Sequence, residues 1–262
     1  ELPRPGLREP VAEPKPHDER DLQHRDRHPE RGAIRQLDAQ YRRQAEWFYG
    51  VRSNLLRRVG IAAKKNVLEL GCGTGAVTPE LIRRCGGQVV ALDVRAGPMA
   101  LDPGRFAGAQ TVIASGEALP FADAAFDLVF TQMLFLWTPD PAAVVREVRR
   151  VLQPGCELIA AAEPDYGGRI EYPGSGLGVR MSEALHALGA DPDVARKMPD
   201  ILRREGFGVE AGVHPSLFPA DRLPGEWEHE RRFLVSLGGE PPADGEPPTF
   251  LFMPYFWFLA RK

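Results

Sequence analysis

The stretch Val67-Leu68-Glu69-Leu70-Gly71-Cys72-Gly73-Thr74-Gly75 constrains this chain most, because a short apolar run stops abruptly in three alternating glycines. Val67, Leu68 and Leu70 read as a buried parallel strand. The glycines permit a tight turn and let backbone approach a ligand that any side chain would block. Ala76 to Arg84 reads as a helix, so the turn aims free backbone N–H groups at whatever sits there. About twenty residues on, where this arrangement places an acid for the two hydroxyls of a ribose, a second apolar run, Val89 to Leu92, ends in Asp93.

Two ligand classes fit that frame. A dinucleotide such as NAD asks for G-x-G-x-x-G or G-x-G-x-x-A, which Gly71, Gly73 and Ala76 satisfy formally. The other is S-adenosylmethionine (SAM). Glu69, Gly71, Gly73 and Gly75 resemble motif I, E/D-x-G-x-G-x-G, of the class I SAM-dependent methyltransferases. Glu69 separates the two. A carboxylate just before the first glycine is unwelcome beside a pyrophosphate, but suits a ligand that carries an ammonium and a sulfonium and no phosphate.

Further motifs carry the same resemblance. Ser115-Gly116-Glu117-Ala118-Leu119-Pro120-Phe121, followed by Phe126-Asp127-Leu128-Val129, resembles the family's D-A-E-x-L-P-F…F-D-x-V. Arg150-Val151-Leu152-Gln153-Pro154-Gly155 resembles its R-V-L-x-P-G-G turn, with Cys156 in place of the second glycine. The resemblance implies a Rossmann-like α/β fold. Its sheet has seven mostly parallel strands with helices on both faces, an antiparallel last strand and an N-terminal helical lid. It implies SAM contacts from Glu69, Gly71, Cys72, Gly73, Thr74, Gly75, Asp93, Val94, Ser115, Gly116, Glu117, Gln132 and Met133. Ser115 stands where the family carries an acid that accepts from the adenine amino group, which implies weaker adenine selectivity.

Taken in order, residues 1–32 are rich in charge and proline and poor in apolar residues, so they read as a disordered tail, its histidines His17, His24 and His28 included. Residues 33–262 read as one domain: lid helices over 33–60, a cofactor half over 67–162, and an acceptor loop, helices and two last strands over 163–262. Ile34, Leu37, Tyr41, Ala45, Phe48, Leu55 and Leu56 recur at helical spacing. Thr138 is the expected N-cap of the helix ending at Val151, with Pro139 in its first turn. Asp191 is the expected cap of a helix over Asp193–Glu205. Phe207 to Val213 and Phe250 to Leu259 read as the last two strands, with one helix near Glu226–Leu237 between them.

Transfer from a sulfonium needs an aligned nucleophile and a dry site, so no triad or metal motif is required and none stands out. The acceptor loop, Glu163 to Tyr172, leaves the expected fifth strand, Glu157 to Ala162, at the carboxyl edge where ligands sit. Tyr166 and Asp165 are the candidate catalytic groups. Tyr41, Trp47, Trp137, Tyr166, Arg169 and Tyr172 are the candidate acceptor contacts, with Arg169 suited to an acidic group. A net charge of −3 with no basic stripe argues against nucleic acid. No apolar run is long enough to span a membrane, and no signal-peptide pattern appears. Cys72, Cys85 and Cys156 form no paired set, which predicts a reducing, cytoplasmic setting and no metal. The expected protein is a monomer or homodimer that methylates a small molecule. The alternatives are a catalytically silent SAM-binding module and an NAD(P)-dependent oxidoreductase.

Overall fold

The computed structural model describes residues 31–214, 218–243 and 246–262. Residues 1–30 of the expected tail, with its three histidines, lie outside the described residues, and Arg31 and Gly32 already belong to the first helix. In chain order the elements are α1 (Arg31–Trp47), α2 (Tyr49–Arg58), β1 (Asn66–Leu70), α3 (Thr78–Arg84), β2 (Gln88–Asp93), α4 (Ala96–Met99), β3 (Ala109–Ile113) and β4 (Phe126–Thr131). They continue with α5 (Pro141–Val151), β5 (Leu152–Pro164), β6 (Ile170–Tyr172), α6 (Leu177–Ala187), α7 (Val194–Arg204), β7 (Gly208–Val213), α8 (Leu223–Ser236), β8 (Phe250–Phe252) and β9 (Tyr255–Arg261). Seven strands form one sheet in the order β3-β2-β1-β4-β5-β9-β7. The pairs β1–β2 and β2–β3 are parallel, and β9 runs antiparallel to β7.

The chain divides into two compact units. One holds the residues up to Val129 with Glu147–Glu157; the other holds Phe130–Arg146 with Leu158–Lys262. In the first unit Val67, Leu68 and Leu70 are buried on both faces of β1, as expected for a central parallel strand. The family-like motifs act there as brackets. The Asp127 carboxylate accepts from the Lys65 and Asn66 N–H groups at 2.7 and 3.0 Å, which fixes where β1 begins. Arg150 donates to the Phe121 and Leu119 carbonyls at 2.7 and 2.9 Å, and Glu147 accepts from the Leu119 N–H at 2.8 Å. The L-P-F loop is therefore held by the helix end that follows β4.

In the second unit several expectations need correction. Helix α5 is capped by Asp140, whose Oδ1 accepts from the Ala143 N–H at 2.9 Å; the Thr138 hydroxyl instead donates to the Leu134 carbonyl. Asp191 lies ahead of the cap position of α7 and accepts from the Asp193 N–H at 3.1 Å. The stretch from Phe250 to Leu259 is two strands, not one. Pro254 has no N–H to give a ladder, and the chain breaks there. Strand β8 then pairs antiparallel with β6, so the expected acceptor loop contains a strand, with Tyr172 opposite Phe250. Strand β5 also begins earlier than the expected Glu157, at Leu152.

Candidate cofactor site

Each glycine of the turn has a positive φ. The turn is tied to the end of β2, since the Gly71 and Cys72 N–H groups donate to the Leu92 carbonyl at 2.8 and 3.0 Å. Asp93 continues the tie: Oδ2 accepts from the Gly73 N–H at 2.8 Å and Oδ1 from the Arg95 N–H at 2.9 Å. Asp93 thus shapes the glycine turn, and each oxygen keeps a lone pair for a further donor. Asp93→Ala removes both acceptors, and each bond to a charged group is worth about 1.5–3 kcal/mol. We expect affinity for SAM to fall about ten- to a hundredfold in calorimetry, with the fold retained; unchanged affinity refutes the assignment.

The space around the turn is tightly defined. A Cβ on Gly75 meets Phe106 Cζ at 2.8 Å, and one on Gly73 lies 3.4 Å from the Tyr41 ring. Phe106 is itself anchored with Cys72, Ala91 and Met99 in a buried cluster. Burial pushes the Cys72 thiol up, so Cys72 is a small filler rather than a nucleophile. Tyr41, a candidate acceptor contact, comes from α1 and lies against the glycine turn. Burial raises its phenol, with Arg95 opposing and Asp93 adding to the rise. Helix α1 has an unusual inward side, burying Asp38, Gln40 and Gln44.

Glu69 is buried, and its Oε2 has no hydrogen-bond partner among the described residues. Burial pushes its carboxyl up to about 8; the Thr78 hydroxyl and Arg52 pull the other way, and Asp93 adds to the rise. Arg52 is itself consumed by Glu80 at 2.7 Å and the Ala45 carbonyl at 2.8 Å. An orphaned acidic oxygen beside a glycine turn fits a cationic ligand group. Val94 follows Asp93 and is 53% exposed, an apolar surface at the carboxyl end of β2. Ser115 Oγ accepts from the Glu117 N–H at 3.2 Å, ordering its own turn.

The first unit therefore brings together Tyr41, Glu69, the glycine turn and Asp93. Trp47 stacks against Arg43, 4.9 Å from guanidinium to ring. The remaining candidates belong to the second unit: Gln132, Met133, Trp137, Asp165, Tyr166, Arg169 and Tyr172. Met133 takes a left-handed conformation and donates its N–H to the Ala162 carbonyl at 3.0 Å. Glu163 accepts from the Leu134 and Phe135 N–H groups, both at 3.1 Å, and so positions the turn carrying Trp137, which is 40% exposed. Burial pushes the Glu163 carboxyl up to about 8, against the pull of those N–H groups.

Two acceptor-loop candidates are already engaged. Asp165 is held by Arg196, Nη2 to Oδ1 at 2.6 Å and Nε to both oxygens at 3.0 Å. Arg169 grips both Glu230 oxygens at 2.9 Å and Glu171 at 3.0 Å, so its expected hold on an acidic substrate group gives way to an internal ion pair. Tyr172 points outward, 72% exposed. Tyr166 lies beside Arg169, Glu230 and Tyr255; burial raises its phenol, with Glu230 adding and Arg169 opposing. Sequence reasoning missed Tyr255 and Glu230, which come from distant segments with no local pattern. Among the described residues no three of His, Cys, Asp and Glu come together as metal ligands do, and no helix is long and apolar enough to cross a membrane.

A family model described as a methyltransferase domain matches residues 68–160. An uncharacterized methyltransferase of Mycobacterium bovis is 42% identical over 99 residues, covering 37% of this chain and 39% of that protein. A ubiquinone biosynthesis O-methyltransferase of Sodalis glossinidius is 37% identical over 112 residues, covering 40% and 43%. The matched stretch thus spans about two fifths of these curated relatives. Phosphoethanolamine N-methyltransferase 2 of Haemonchus contortus, solved with S-adenosyl-L-methionine, superposes with a TM-score of 0.58 at 15% identity, covering 80% of this chain and 51% of that one. At that identity the likeness speaks for the fold alone. Together with the seven-stranded sheet and the Glu69-to-Gly75 turn, these matches identify a methyltransferase domain over residues 68–160 on a Rossmann-like methyltransferase fold.

Proposed function

We propose that this chain binds SAM in the first unit and methylates a small-molecule acceptor. The observation that carries this reading is Glu69 Oε2, a buried acidic oxygen without a partner beside the glycine turn. An ammonium placed there favours the ionised carboxylate and pairs with it, whereas a pyrophosphate gains no opposite charge. When bound, SAM supplies a methyl group already made electrophilic by its sulfonium. Glu69 holds the amino-acid end and Asp93 receives the ribose hydroxyls. Val94 and the Ser115-to-Glu117 turn border the adenine. SAM held there would supply its methyl group for in-line displacement by an acceptor lone pair, the C–S electron pair leaving on sulfur and any displaced acceptor proton passing to solvent.

The acceptor side uses orientation rather than a base. Asp165 is neutralised by Arg196, and the raised Tyr166 phenol keeps its proton. Tyr166 therefore orients the acceptor by hydrogen bonding, and the acceptor brings its own lone pair. An apolar or aromatic body suits the tyrosine and tryptophan faces of Tyr166 and Trp137. The relative named for ubiquinone biosynthesis supports a small acceptor. A net charge of −3 supports no nucleic-acid acceptor, three free cysteines support a reducing, cytoplasmic setting, and a monomer or homodimer suffices.

The experiment is calorimetry of the purified protein with SAM and, separately, NAD, followed by a metabolite panel assayed for S-adenosylhomocysteine release. Binding of SAM alone with turnover on the panel is the expected result. Preference for NAD overturns the reading. Binding without turnover on any acceptor favours a silent SAM module.

A further inference from the structure

The proposed cofactor site has a clamp that the motifs do not describe. Arg105, in the turn Pro103–Phe106 after α4, reaches in several directions at once. Its Nη1 donates to Asp38 Oδ1 in a very short contact and to the Thr74 carbonyl at 3.1 Å. Its Nη2 donates to Asp38 Oδ2 at 3.0 Å, and its Nε to Asp102 Oδ2 at 3.1 Å. Asp38 belongs to α1, the helix that lays Tyr41 against Gly73. Thr74 belongs to the glycine turn itself. One guanidinium therefore joins α1 to the glycine turn.

The clamp is rigidly based. Phe106, the next residue, is buried with Cys72, Ala91 and Met99, and its ring fills the space a Gly75 side chain would need. Both members of the pair are largely shielded, with side chains 17% and 12% exposed. Arg42, also on α1, lowers the Asp38 carboxyl further, though less than Arg105 does. Only a planar fork satisfies a carboxylate with two nitrogens while one of them also reaches a carbonyl; a lysine has a single point of charge.

We propose that Arg105 is a positioning residue of the cofactor site: by joining Asp38 of α1 to the Thr74 carbonyl, it holds Tyr41 over the glycine turn and sets how long bound SAM stays. The inference rests on SAM binding at that turn. A ligand leaving from under Tyr41 requires α1 to lift, and α1 lifts only when the Asp38–Arg105 contact opens. The Arg105 guanidinium is committed to Asp38, Asp102 and the Thr74 carbonyl, so it acts by restricting opening rather than by touching the ligand. Loss of the clamp therefore speeds release more than it alters the fold.

The test is a chase of radiolabelled SAM from the full chain, read as a dissociation rate, on wild type, Arg105→Ala, Arg105→Lys, Asp38→Asn and the double variant Arg105→Ala/Asp38→Asn. Arg105→Ala is expected to release SAM about ten- to a hundredfold faster, the range set by hydrogen bonds to a charged group. Arg105→Lys should fall between it and wild type. Asp38→Asn should resemble Arg105→Ala, and the double variant should be no faster than either single one, since both break one contact. Folded variants whose rates match wild type overturn the proposal even if their melting points fall, because a merely structural role moves only the melting point. Effects that multiply in the double variant also overturn it. If Arg105→Ala does not fold, Arg105→Lys and Asp38→Asn decide by the same rates. Wild type that fails to bind SAM overturns the proposed function and this inference with it; wild-type binding with unchanged variants overturns this inference alone.

Discussion

Arg169→Ala is expected to destabilise the protein by about 3–5 kcal/mol, the usual effect of removing one partner from a buried ion pair. The reason lies in what it leaves behind. Arg169 is 5% exposed in its side chain and joins two carboxylates, Glu230 on α8 and Glu171 on β6. Without the guanidinium, two largely buried acids face each other beside the phenols of Tyr166 and Tyr255. Space alone does not explain the site: a Cβ on Gly178 lies 2.4 Å from Arg169 Cδ, so the arginine stem also fills a slot against α6. Arg169→Lys is expected to rescue only part, because one ammonium cannot reproduce a fork on Glu230 plus a third bond to Glu171. Denaturant unfolding followed by circular dichroism checks this. A loss below about 1 kcal/mol is the range of an exposed surface pair and refutes the burial argument. The result also separates two roles: a substrate anchor leaves stability intact and raises KM, whereas an internal bracket does the opposite.

The glycine turn was legible because the strand, the turn and the acid at Asp93 follow one another within a short segment, each with its own pattern. Asp127 and Arg150 were legible as family-like motif residues. Their work, fixing the start of β1 and holding the L-P-F loop, needs coordinates. The ion pairs were not legible: Arg169 and Glu230 stand 61 residues apart, Asp38 and Arg105 stand 67 apart, and Asp165 and Arg196 stand 31 apart. Charge carries no period, so nothing in the sequence selects one carboxylate among many. Strand β6 was hidden for a related reason. Three residues have no visible alternation, and their partner β8 lies beyond three helices and a strand. The cap of α5 moved from Thr138 to Asp140 because both residue types cap helices and only the turn geometry chooses between them.

Affinity for SAM is expected to rise about tenfold per pH unit below pH 8 and to level off there, and Glu69→Gln is expected to abolish that rise. Burial holds the Glu69 carboxyl at about 8 against an ordinary 4.5, so the empty folded protein keeps the proton across that window. The sign follows from the two states. The folded pKa is raised, so the folded chain binds more protons than the unfolded one, and this group's contribution to stability declines as pH rises from about 4.5 to about 8. Glu163 is shifted up for the same reason and adds to that decline, but it lies in the second unit and accepts from backbone N–H groups. A ligand ammonium at Glu69 reverses the balance: it favours the carboxylate, so binding below pH 8 expels the proton. Glutamine mimics the protonated side chain at every pH. The variant should therefore match wild type near pH 6 and fall behind it by about a hundredfold near pH 8. Above about pH 8 the ligand's own amino group loses its proton, and wild-type affinity declines again. Calorimetry in buffers of different ionisation heat measures the released proton directly. Equal pH slopes for wild type and Glu69→Gln, or no proton released, would place the ligand cation away from Glu69 and remove the observation on which the cofactor assignment rests.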